Sequence, residues 1–306
     1  MKNSIWIYSI ALLFICCEKE LPIHSDIAKQ MTLHAMLDND NKVMVQLYES
    51  ALPTDSLELK YIYDANVELF ENGNKISTLV FILDSSHLFT NGYYTDTAIH
   101  IKPDKVYTIK ATHPNFPSIS ATDTIPSLAT VTNTSVTGFP LLVLGIDSTF
   151  AQLQFTIIDD ANKHNVYVVY PYYYFSRYYK RSATDSVLIW QTSYAYLNAI
   201  NGIKLNNIYN GNQLDDVTFN GQSKSFNLEI SKLYDSDTSI QEAYIGISVR
   251  QYSASYYLDI ESKRKYYDIL SNKIYEAPFW FYTNVIGGFG LLTSTSNNNQ
   301  IIAKIK

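Results

Sequence analysis

The feature that most constrains the fold is a series of short segments in which apolar and polar residues alternate, separated by turn-forming residues. Alternation with a period of two is typical of β-strands that bury one face. Six such segments precede residue 126: 31–37, 43–48, 66–70, 76–83, 106–111 and 119–125. Asn72-Gly73 separates two of them, and Asn-Gly at such a break is a strong hairpin signal. The pattern predicts an immunoglobulin-like β-sandwich over residues 31–127, with Tyr107 placed where a tyrosine corner would lie.

The second part of the chain continues the pattern after Pro126-Ser127, where we place the boundary. Five further segments alternate in the same way: 150–158, 165–174, 187–196, 225–230 and 244–252. They predict a second antiparallel β domain over residues 128–306. One stretch differs, because residues 257–270 place apolar side chains at helical spacing with charges between them, which predicts an amphipathic helix. The predicted fold class is therefore mainly all-β, with one helix.

The N-terminus reads as an export signal. Lys2 is followed by an apolar run of about 11 residues, too short to span a bilayer as a helix. The run ends at two cysteines, and with Cys17 at the +1 position Phe14 lies at −3 and Cys16 at −1, as in a bacterial lipobox. We therefore predict a signal peptide over residues 1–17, lipidation of Cys17 and a tether over residues 18–30. Several acyl chains on one cysteine would anchor the protein permanently; the alternative is a plain secreted protein.

Charge and composition bear on the partner. The chain has 23 Lys and Arg against 29 Asp and Glu, a net charge of −6. Nucleic-acid binding needs clustered cations, and the sequence has no basic stripe, so nucleic acid is not an expected partner. The chain also carries 26 Tyr. Tyrosine suits both the pleated surface of a sheet and an exposed binding face, so both interpretations stay open.

Motifs for catalysis and metal binding are missing from the sequence. The six histidines lie outside metal-ligand spacing, and neither HExxH, CxxC nor GxSxG occurs. Asp159-Asp160 and Asp215-Asp216 flank predicted strands, and we interpret both pairs as solvated loop acids. The acidic run 38–41 lacks the remaining ligands of an EF-hand and predicts a hairpin turn. We therefore expect no metal site, no cofactor and no enzymatic activity.

The candidate binding residues are aromatic and lie mainly in the segment 169–179, VYPYYYFSRYY. On a strand, Tyr172 and Tyr174 would share one face, while Tyr173 and Phe175 would share the other. One face can be core, and the other would then be an exposed or covered aromatic surface. The candidate binding side chains for a glycan or peptide ligand are Tyr172, Tyr174, Tyr178 and Trp280.

A distinctive motif lies near the C-terminus, in the stretch 272–292, NKIYEAPFWFYTNVIGGFGLL. Its motif residues are Pro278, Phe279, Asn284, Gly287, Gly288 and Gly290. Three further stretches agree with the same pattern: 17–20, 64–73 and 216–228. Together they resemble a Bacteroidota lipoprotein family known as domain of unknown function 4249. The sequence departs from that pattern at 280–283, which is more aromatic than the family's polar stretch.

The resemblance implies a lipoprotein of the outer membrane, often found beside TonB-dependent transporters, and supplies no activity. The acidic residues Glu18 and Glu20 resemble the surface-export signal of Bacteroidota lipoproteins. We therefore expect a cell-surface location, with a periplasm-facing one left open. From the residues themselves we expect Gly287, Gly288 and Gly290 to permit positive φ or close backbone approach in a closing strand.

Three functions remain open from the sequence. The first is a non-catalytic accessory or capture lipoprotein working with a TonB-dependent transporter. The second is a structural or envelope-assembly lipoprotein without a small-molecule ligand, and the third, less favoured, is a secreted hydrolase. An exposed aromatic groove would favour capture, a flat apolar patch would favour assembly, and converging Asp, Glu or His would favour the enzyme.

Overall fold

A computed structural model describes the greater part of the chain. The described residues are 28–41, 43–51, 59–83, 92–138, 141–142, 150–163, 165–181, 185–201, 203–204, 213–234, 240–271 and 281–306. They are mainly β, with one α-helix, so the predicted fold class is confirmed at that level. The predicted signal peptide with Cys17, most of the tether, and Pro278, Phe279 and Trp280 lie outside the described residues.

The strands of the described residues are numbered in chain order. They are β1 (Met31–Asp38), β2 (Val45–Glu49), β3 (Asn66–Glu71), β4 (Asn74–Ile82), β5 (Tyr93–Thr95), β6 (Val106–His113), β7 (Phe116–Thr124), β8 (Thr130–Thr137), β9 (Leu141–Leu142), β10 (Phe150–Ile158), β11 (Val166–Lys180), β12 (Ser186–Tyr194), β13 (Leu197–Ile200), β14 (Ile203–Lys204), β15 (Gln213–Asp215), β16 (Ser223–Ser231), β17 (Leu233–Tyr234), β18 (Ile240–Tyr252), β19 (Val285–Ile286) and β20 (Phe289–Lys304). The helix is α1 (Ala254–Ser271), and a short 3₁₀ helix spans Asp216–Thr218.

The hairpin between β3 and β4 forms at the predicted turn. Asn72 and Gly73 both have positive φ, 49° and 83°, and Glu71 pairs with Asn74. Two central residues in the left-handed region match the right-handed twist of the flanking strands, which explains why Asn-Gly is favoured here. The hairpin between β1 and β2 also forms, with Leu33 paired to Leu47.

The first core lies among strands β1 to β7. It is built from the alternate buried side chains of these strands, such as Leu33, Leu47, Leu69 and Ile109. Strand β4 pairs with β3 along its first part and with β5 along its last three residues, so it joins the two groups of strands. An immunoglobulin-like arrangement of these strands stays a prediction.

Tyr107 is fully buried in this first core, where its hydroxyl links two strands. It accepts a hydrogen bond from the Lys102 amide at 3.0 Å and donates one to Glu71 Oε2 at 2.7 Å. A bond from the tyrosine hydroxyl to the backbone a few residues upstream is the contact that defines a tyrosine corner. Burial, followed by the bond to Glu71, raises the pKa of Tyr107 to about 12.

The second core lies between two groups of strands in the later part of the chain. Strands β12, β11, β18 and β20 are neighbours in one sheet, and β14, β13, β16, β10 and β8 form another. Tyr173 and Phe175, only 2% and 8% exposed, point from β11 into this core, where they join Phe155, Leu228 and Ile247. Alternation on β11 therefore leaves its other face outside the core.

Strand β20 connects the two cores. Its first residues pair in parallel with β1, from Thr32 with Phe289 to Asp38 with Thr295, and the rest pairs antiparallel with β18. Leu292 lies in the first core, although it is far along the chain in the part predicted as the second domain. The boundary at 127/128 stays a prediction, but strands on both of its sides share β20.

Alternate polar side chains of β20 bind the chain segment that leads from the first core to the second. We call this set the polar ladder: Ser294 donates to Thr124 O at 3.0 Å, Ser296 to Ser127 O, Asn298 to Ala129 O at 2.7 Å and Gln300 to Val131 O at 3.2 Å. Ser294 and Ser296 are fully buried. The ladder satisfies backbone carbonyls that would otherwise be buried without a donor.

The helix forms as predicted, with a start three residues earlier. Ser253 precedes it, and its hydroxyl accepts a hydrogen bond from the Tyr256 amide at 3.3 Å, as an N-cap does. Along the helix, Asp259 pairs with Lys263 at 2.7 Å and Glu261 with Arg264 at 2.8 Å. Among the described residues, no helix combines the length and the apolar character needed to cross a membrane.

Candidate functional site

The candidate site is an open cleft of about 440 Å³ on the sheet face opposite the second core. Its walls come from β11, β12, β18 and β20 and from the turn after β1. Side chains of three kinds line it: the tyrosines Tyr172, Tyr174 and Tyr194, the charged residues Asp40 and Arg250, and the neutral polar residues Asn41, Thr192, Ser248 and Asn299, together with Ile301. Two of the four sequence-predicted binding residues, Tyr172 and Tyr174, are therefore brought together here.

Strand register explains why tyrosines gather on this face. Tyr172 pairs with Tyr194 on β12, and Tyr174 pairs with Thr192 on one side and Tyr244 on the other. Residues directly opposite in neighbouring strands project to the same side of the sheet, so their rings meet. We call this surface the tyrosine face, and its members are Tyr170, Tyr172, Tyr174, Trp190, Tyr194 and Tyr244.

Tyr172 lies across a glycine of the neighbouring strand. A Cβ atom added to Gly246 would stand 2.5 Å from Tyr172 Cζ and 2.6 Å from its hydroxyl oxygen. The missing side chain therefore gives the ring room to lie against β18. Burial, followed by the neighbouring Tyr194, raises the pKa of Tyr172, which keeps its hydroxyl protonated and able to donate a hydrogen bond.

A group of stacked rings stands at one end of the tyrosine face, and we call it the aromatic platform. Tyr174 and Trp190 have ring centroids 4.6 Å apart and are inclined by only 17°, while Tyr244 lies 6.5 Å from the first and 6.2 Å from the second. Trp190 is 43% exposed. Broad, rigid rings open to solvent offer contact area with little loss of side-chain entropy.

Arg250 stands at the other end of the cleft, surrounded by tyrosines. Its guanidinium lies over the Tyr170 ring at 4.7 Å, and Nη2 donates to the Tyr194 hydroxyl at 3.3 Å. Its Nε is buried without an acceptor. Burial acts to lower the pKa of Arg250, but the tyrosine hydroxyls, chiefly that of Tyr252, outweigh it and raise the pKa, so the group stays cationic.

Arg250 forms no ion pair with any residue that the structure describes. In the described part of the chain no carboxylate lies within ion-pair distance of its guanidinium, although the protein carries more acidic than basic residues. A cation that is half withdrawn from water without a counter-ion is unfavourable, so the guanidinium is available to an anionic group in the cleft.

Asp40 is the acidic residue among those that line the cleft. It lies in the predicted turn after β1, where its Oδ2 accepts a hydrogen bond from Asn299 Nδ2 at 2.7 Å. The turn itself is held by Asp38 Oδ1, which accepts from the amides of Asp40 and Asn41 at 2.8 and 2.6 Å. A single carboxylate that is already bound by a neighbouring amide does not form the paired acids of a hydrolase.

The remaining predicted binding residues lie elsewhere. Tyr178 is 54% exposed near the tip of the β11–β12 hairpin, paired with Leu188, and is not among the residues that line the cleft. Trp280 lies outside the described residues. The sequence analysis missed Trp190 and Arg250, because only the pairing of β11 with β12 and β18 brings them beside the tyrosines. The alternation in 187–196 was the one local signal for Trp190.

Asn284 of the C-terminal motif joins three elements. Its Nδ2 donates to Leu292 O at 2.7 Å and to Ser255 Oγ at 3.1 Å, while its Oδ1 accepts from the Leu292 amide at 2.9 Å. A third contact runs from Nδ2 to Thr122 O at 3.4 Å. The side chain thus continues the backbone pairing of β20 and holds α1 and β7 beside it.

The glycines of the motif lie where backbone from other strands comes close. An added Cβ would stand 2.4 Å from Ser118 O at Gly287, 2.3 Å from Met31 O at Gly288 and 1.8 Å from Leu33 O at Gly290. Gly287 and Gly290 also have positive φ, 82° and 107°. Any side chain here would separate β20 from β1, so the motif's role in the described residues is structural.

The interpretation of the acidic pairs as solvated is wrong for two of the four residues. Asp159 and Asp216 are 7% and 1% exposed, whereas Asp160 is exposed as expected. Asp159 Oδ1 accepts from the Tyr167 hydroxyl at 2.6 Å, and Asp216 Oδ2 accepts from the Asn165 amide at 2.6 Å. These carboxylates replace water with hydrogen-bond donors, so they can be buried. In the described part of the chain no cluster of three or more potential metal ligands occurs.

Comparison with known proteins assigns the chain to a family through a match over most of its sequence, not through the cleft alone. No curated protein matches the sequence. One family model matches residues 18–301, under the description "Domain of unknown function (DUF4249)". Because the match covers most of the chain, including the two cores, the cleft and the closing strand, this protein belongs to the DUF4249 family.

Proposed function

We propose that this protein is a non-catalytic capture lipoprotein that binds a glycan in the tyrosine-lined cleft. The observation that carries the proposal is the solvent-exposed aromatic platform of Tyr174, Trp190 and Tyr244 beside a row of polar side chains. A sugar ring presents an apolar face and a rim of hydroxyls. Stacked aromatic rings match the face, and Thr192, Ser248 and Asn299 offer groups for the rim.

The position of the cleft favours a glycan over a peptide. The rings lie on the face of four paired strands, with β11, β18 and β20 each hydrogen-bonded to neighbours on both sides. An extended peptide usually gains affinity by pairing with a free sheet edge, which β11, β18 and β20 do not offer; β12 is the end strand of the described sheet, and a ligand in the cleft lies on the face of the sheet rather than along that edge. A peptide is therefore the second candidate, and binding measurements decide between them.

Membrane attachment completes the proposal. Cys17 would carry the lipid anchor, and the cleft would then hold a ligand at the outer surface of the outer membrane for a TonB-dependent transporter. The support is the lipobox-like sequence ending in Cys17 and the acidic residues that follow it. Purification of the tagged chain from outer membranes in mild detergent tests this part. Stoichiometric recovery of a TonB-dependent transporter is expected; recovery of the protein alone, or without lipid on Cys17, contradicts it.

Glycan capture is tested on the full chain in mild detergent. The protein is exposed to an array of neutral and acidic oligosaccharides and to extended peptides, and affinities are then measured by calorimetry. Replacing Tyr174 and Trp190 with Ala should weaken glycan binding by about tenfold or more, since each ring stacks directly on the sugar. Tyr179→Ala is the matched control, because Tyr179 is exposed on the same strand and does not line the cleft.

Two results would overturn glycan capture. One is binding of peptides but of no glycan, which would make the cleft a peptide site. The other is glycan binding that Tyr174→Ala and Trp190→Ala leave unchanged, because the sugar would then bind elsewhere on the protein.

A further inference from the structure

The charges of the cleft narrow the class of glycan, and this step rests on the proposed function. Among the side chains that line it, Arg250 is the cation and Asp40 the anion, and they differ in how they are bound. Asp40 already accepts a hydrogen bond from Asn299, whereas Arg250 lies over the Tyr170 ring and forms no ion pair with any described residue. The guanidinium is therefore the charged group that a ligand can neutralise.

The surroundings of Arg250 fit a planar carboxylate. The guanidinium lies over the Tyr170 ring, which limits its orientation, and its hydrogen bond to the Tyr194 hydroxyl is long, at 3.3 Å. Tyr194 is largely exposed, so its ring can turn aside without disturbing the core. A carboxylate that replaces this hydroxyl forms charge-assisted, two-pronged bonds, which a neutral hydroxyl does not.

The small number of charges limits how acidic the ligand can be. Among the described residues that line the cleft, Arg250 is the one cation and Asp40 is an anion, and the whole chain has a net charge of −6. A polymer with a negative charge on every sugar would meet repulsion from Asp40 and from the protein as a whole. A glycan in which a single carboxylate stands among neutral sugars avoids this repulsion.

From this geometry we propose that the cleft binds a sparsely charged acidic glycan, with a uronic-acid carboxylate on Arg250 and a neutral sugar stacked on Tyr174 and Trp190. The two ends of the cleft then have different roles in recognition. The aromatic platform supplies contact area for many sugars, and Arg250 selects those that carry a carboxylate beside the stacked ring.

The test compares ligands that differ only in charge. Calorimetry on the full chain in mild detergent uses glucuronic-acid-substituted xylo-oligosaccharides, hyaluronan oligosaccharides, the methyl esters of both and unsubstituted xylo-oligosaccharides. At least one uronate is expected to bind, and its methyl ester should bind about tenfold or more weakly, since esterification removes the charge and keeps the sugar. Added salt should lower the affinity for the uronate and leave the affinity for the ester unchanged.

Variants of Arg250 give the second arm. Arg250→Gln should lower uronate affinity by about tenfold or more and leave the ester's affinity unchanged, and Arg250→Lys should recover part of the loss. Arg177→Gln is the matched control, because Arg177 is an exposed arginine on β11 that does not line the cleft. Circular dichroism confirms that each variant is folded, and the ester comparison needs no variant at all.

The outcomes separate this inference from the proposed function. If neutral glycans bind as tightly as the uronates, the acidic-glycan assignment is wrong and glycan capture stands. If no glycan binds, both fail. If tetra-glutamate binds as tightly as any uronate and Arg250→Gln abolishes it, the cleft recognises acidic peptides and the assignment to a glycan is wrong.

Discussion

The closing strand β20 and the tyrosine face reverse the usual relation between polarity and burial. β20 places the small polar side chains of Ser294 and Ser296 in a fully buried position, while the tyrosine face leaves large rings such as Trp190 open to water. The two regions belong to the same sheet, in which β18 lies between β11 and β20 and carries Tyr244 of the tyrosine face.

The difference lies in what each side chain contacts. Each hydroxyl or amide of the polar ladder donates to a backbone carbonyl, so burial leaves few polar groups unsatisfied and holds two cores together. The rings of the tyrosine face contact one another and contribute no part of either core. Buried polar residues therefore mark the contact between β20 and the segment 124–131, which joins the two cores, and exposed aromatic residues mark the candidate binding surface.

The largest expected effect is on the closing strand. Gly290→Ala should reduce the free energy of unfolding by about 3–5 kcal/mol, because the new Cβ meets Leu33 O and the residue has positive φ. Gly73→Ala is the control, with positive φ but open space around it, and should cost about 1 kcal/mol. Urea unfolding measures both, and equal losses would show that close approach at Gly290 is unimportant.

The next effect concerns the polar ladder. Ser294→Ala should cost about 1–3 kcal/mol, because it removes the one hydroxyl hydrogen that Asp123 Oδ2 and Thr124 O share in a buried position. Ser118→Ala, at an exposed position, should change stability by less than about 0.5 kcal/mol. Thermal unfolding compares the two, and a neutral Ser294→Ala would mean that the ladder does not hold the cores together.

A smaller effect on stability is expected at the tyrosine face. Trp190→Ala should cost about 1 kcal/mol or less, because its ring is exposed and packs mainly on Tyr174. Glycan affinity should nevertheless fall, as proposed above. A stability loss as large as that of Ser294→Ala would show that the platform is part of the fold and would remove the contrast between the regions.

The smallest expected effect is a pH dependence of the free energy of unfolding, which comes from Asp123 beside the polar ladder. Burial raises the pKa of Asp123 against the opposing hydrogen bonds from Ser253, Ser294 and Ser255. A raised pKa in the folded state means that the carboxyl contributes stability below its ordinary pKa and loses that contribution as pH rises through the folded value. Asp123→Asn should remove this pH-dependent contribution to the free energy of unfolding. The stability difference between wild type and variant should therefore change across the mildly acidic range. A constant difference would contradict the raised pKa.

Local patterns in the sequence predict the elements that depend on near neighbours. The β3–β4 hairpin follows from Asn72-Gly73. The helix α1 follows from helical spacing, and it begins three residues earlier than predicted because Ser253 caps it. The division of β11 into Tyr172 and Tyr174 on one face and Tyr173 and Phe175 on the other follows from alternation alone.

Pairing between distant strands is what the sequence does not show. Trp190 joins the tyrosine face, and Arg250 the cleft, only through the register of β12 and β18 on β11. The stretch 294–300, STSNNNQ, has the composition of a solvated loop, yet it belongs to β20 and its first four residues are buried, because acceptors from the segment 124–131 meet its side chains. Burial of Asp159 and Asp216 likewise depends on donors from Tyr167 of β11 and from Asn165, the residue before that strand.

The pairing of β20 with β1 also sets the order in which the protein can fold. Asn39 and Asn297, 258 residues apart in the chain, are joined by hydrogen bonds in both directions. Contacts of such separation form late, because a long loop must close before they contribute any stability. The edge of β1 that pairs with β20 therefore stays free until residues 289–295 have been synthesised. Leu292, which lies on that strand, joins the first core at the same time, so this core is completed only by a segment that is synthesised long after β1 to β7.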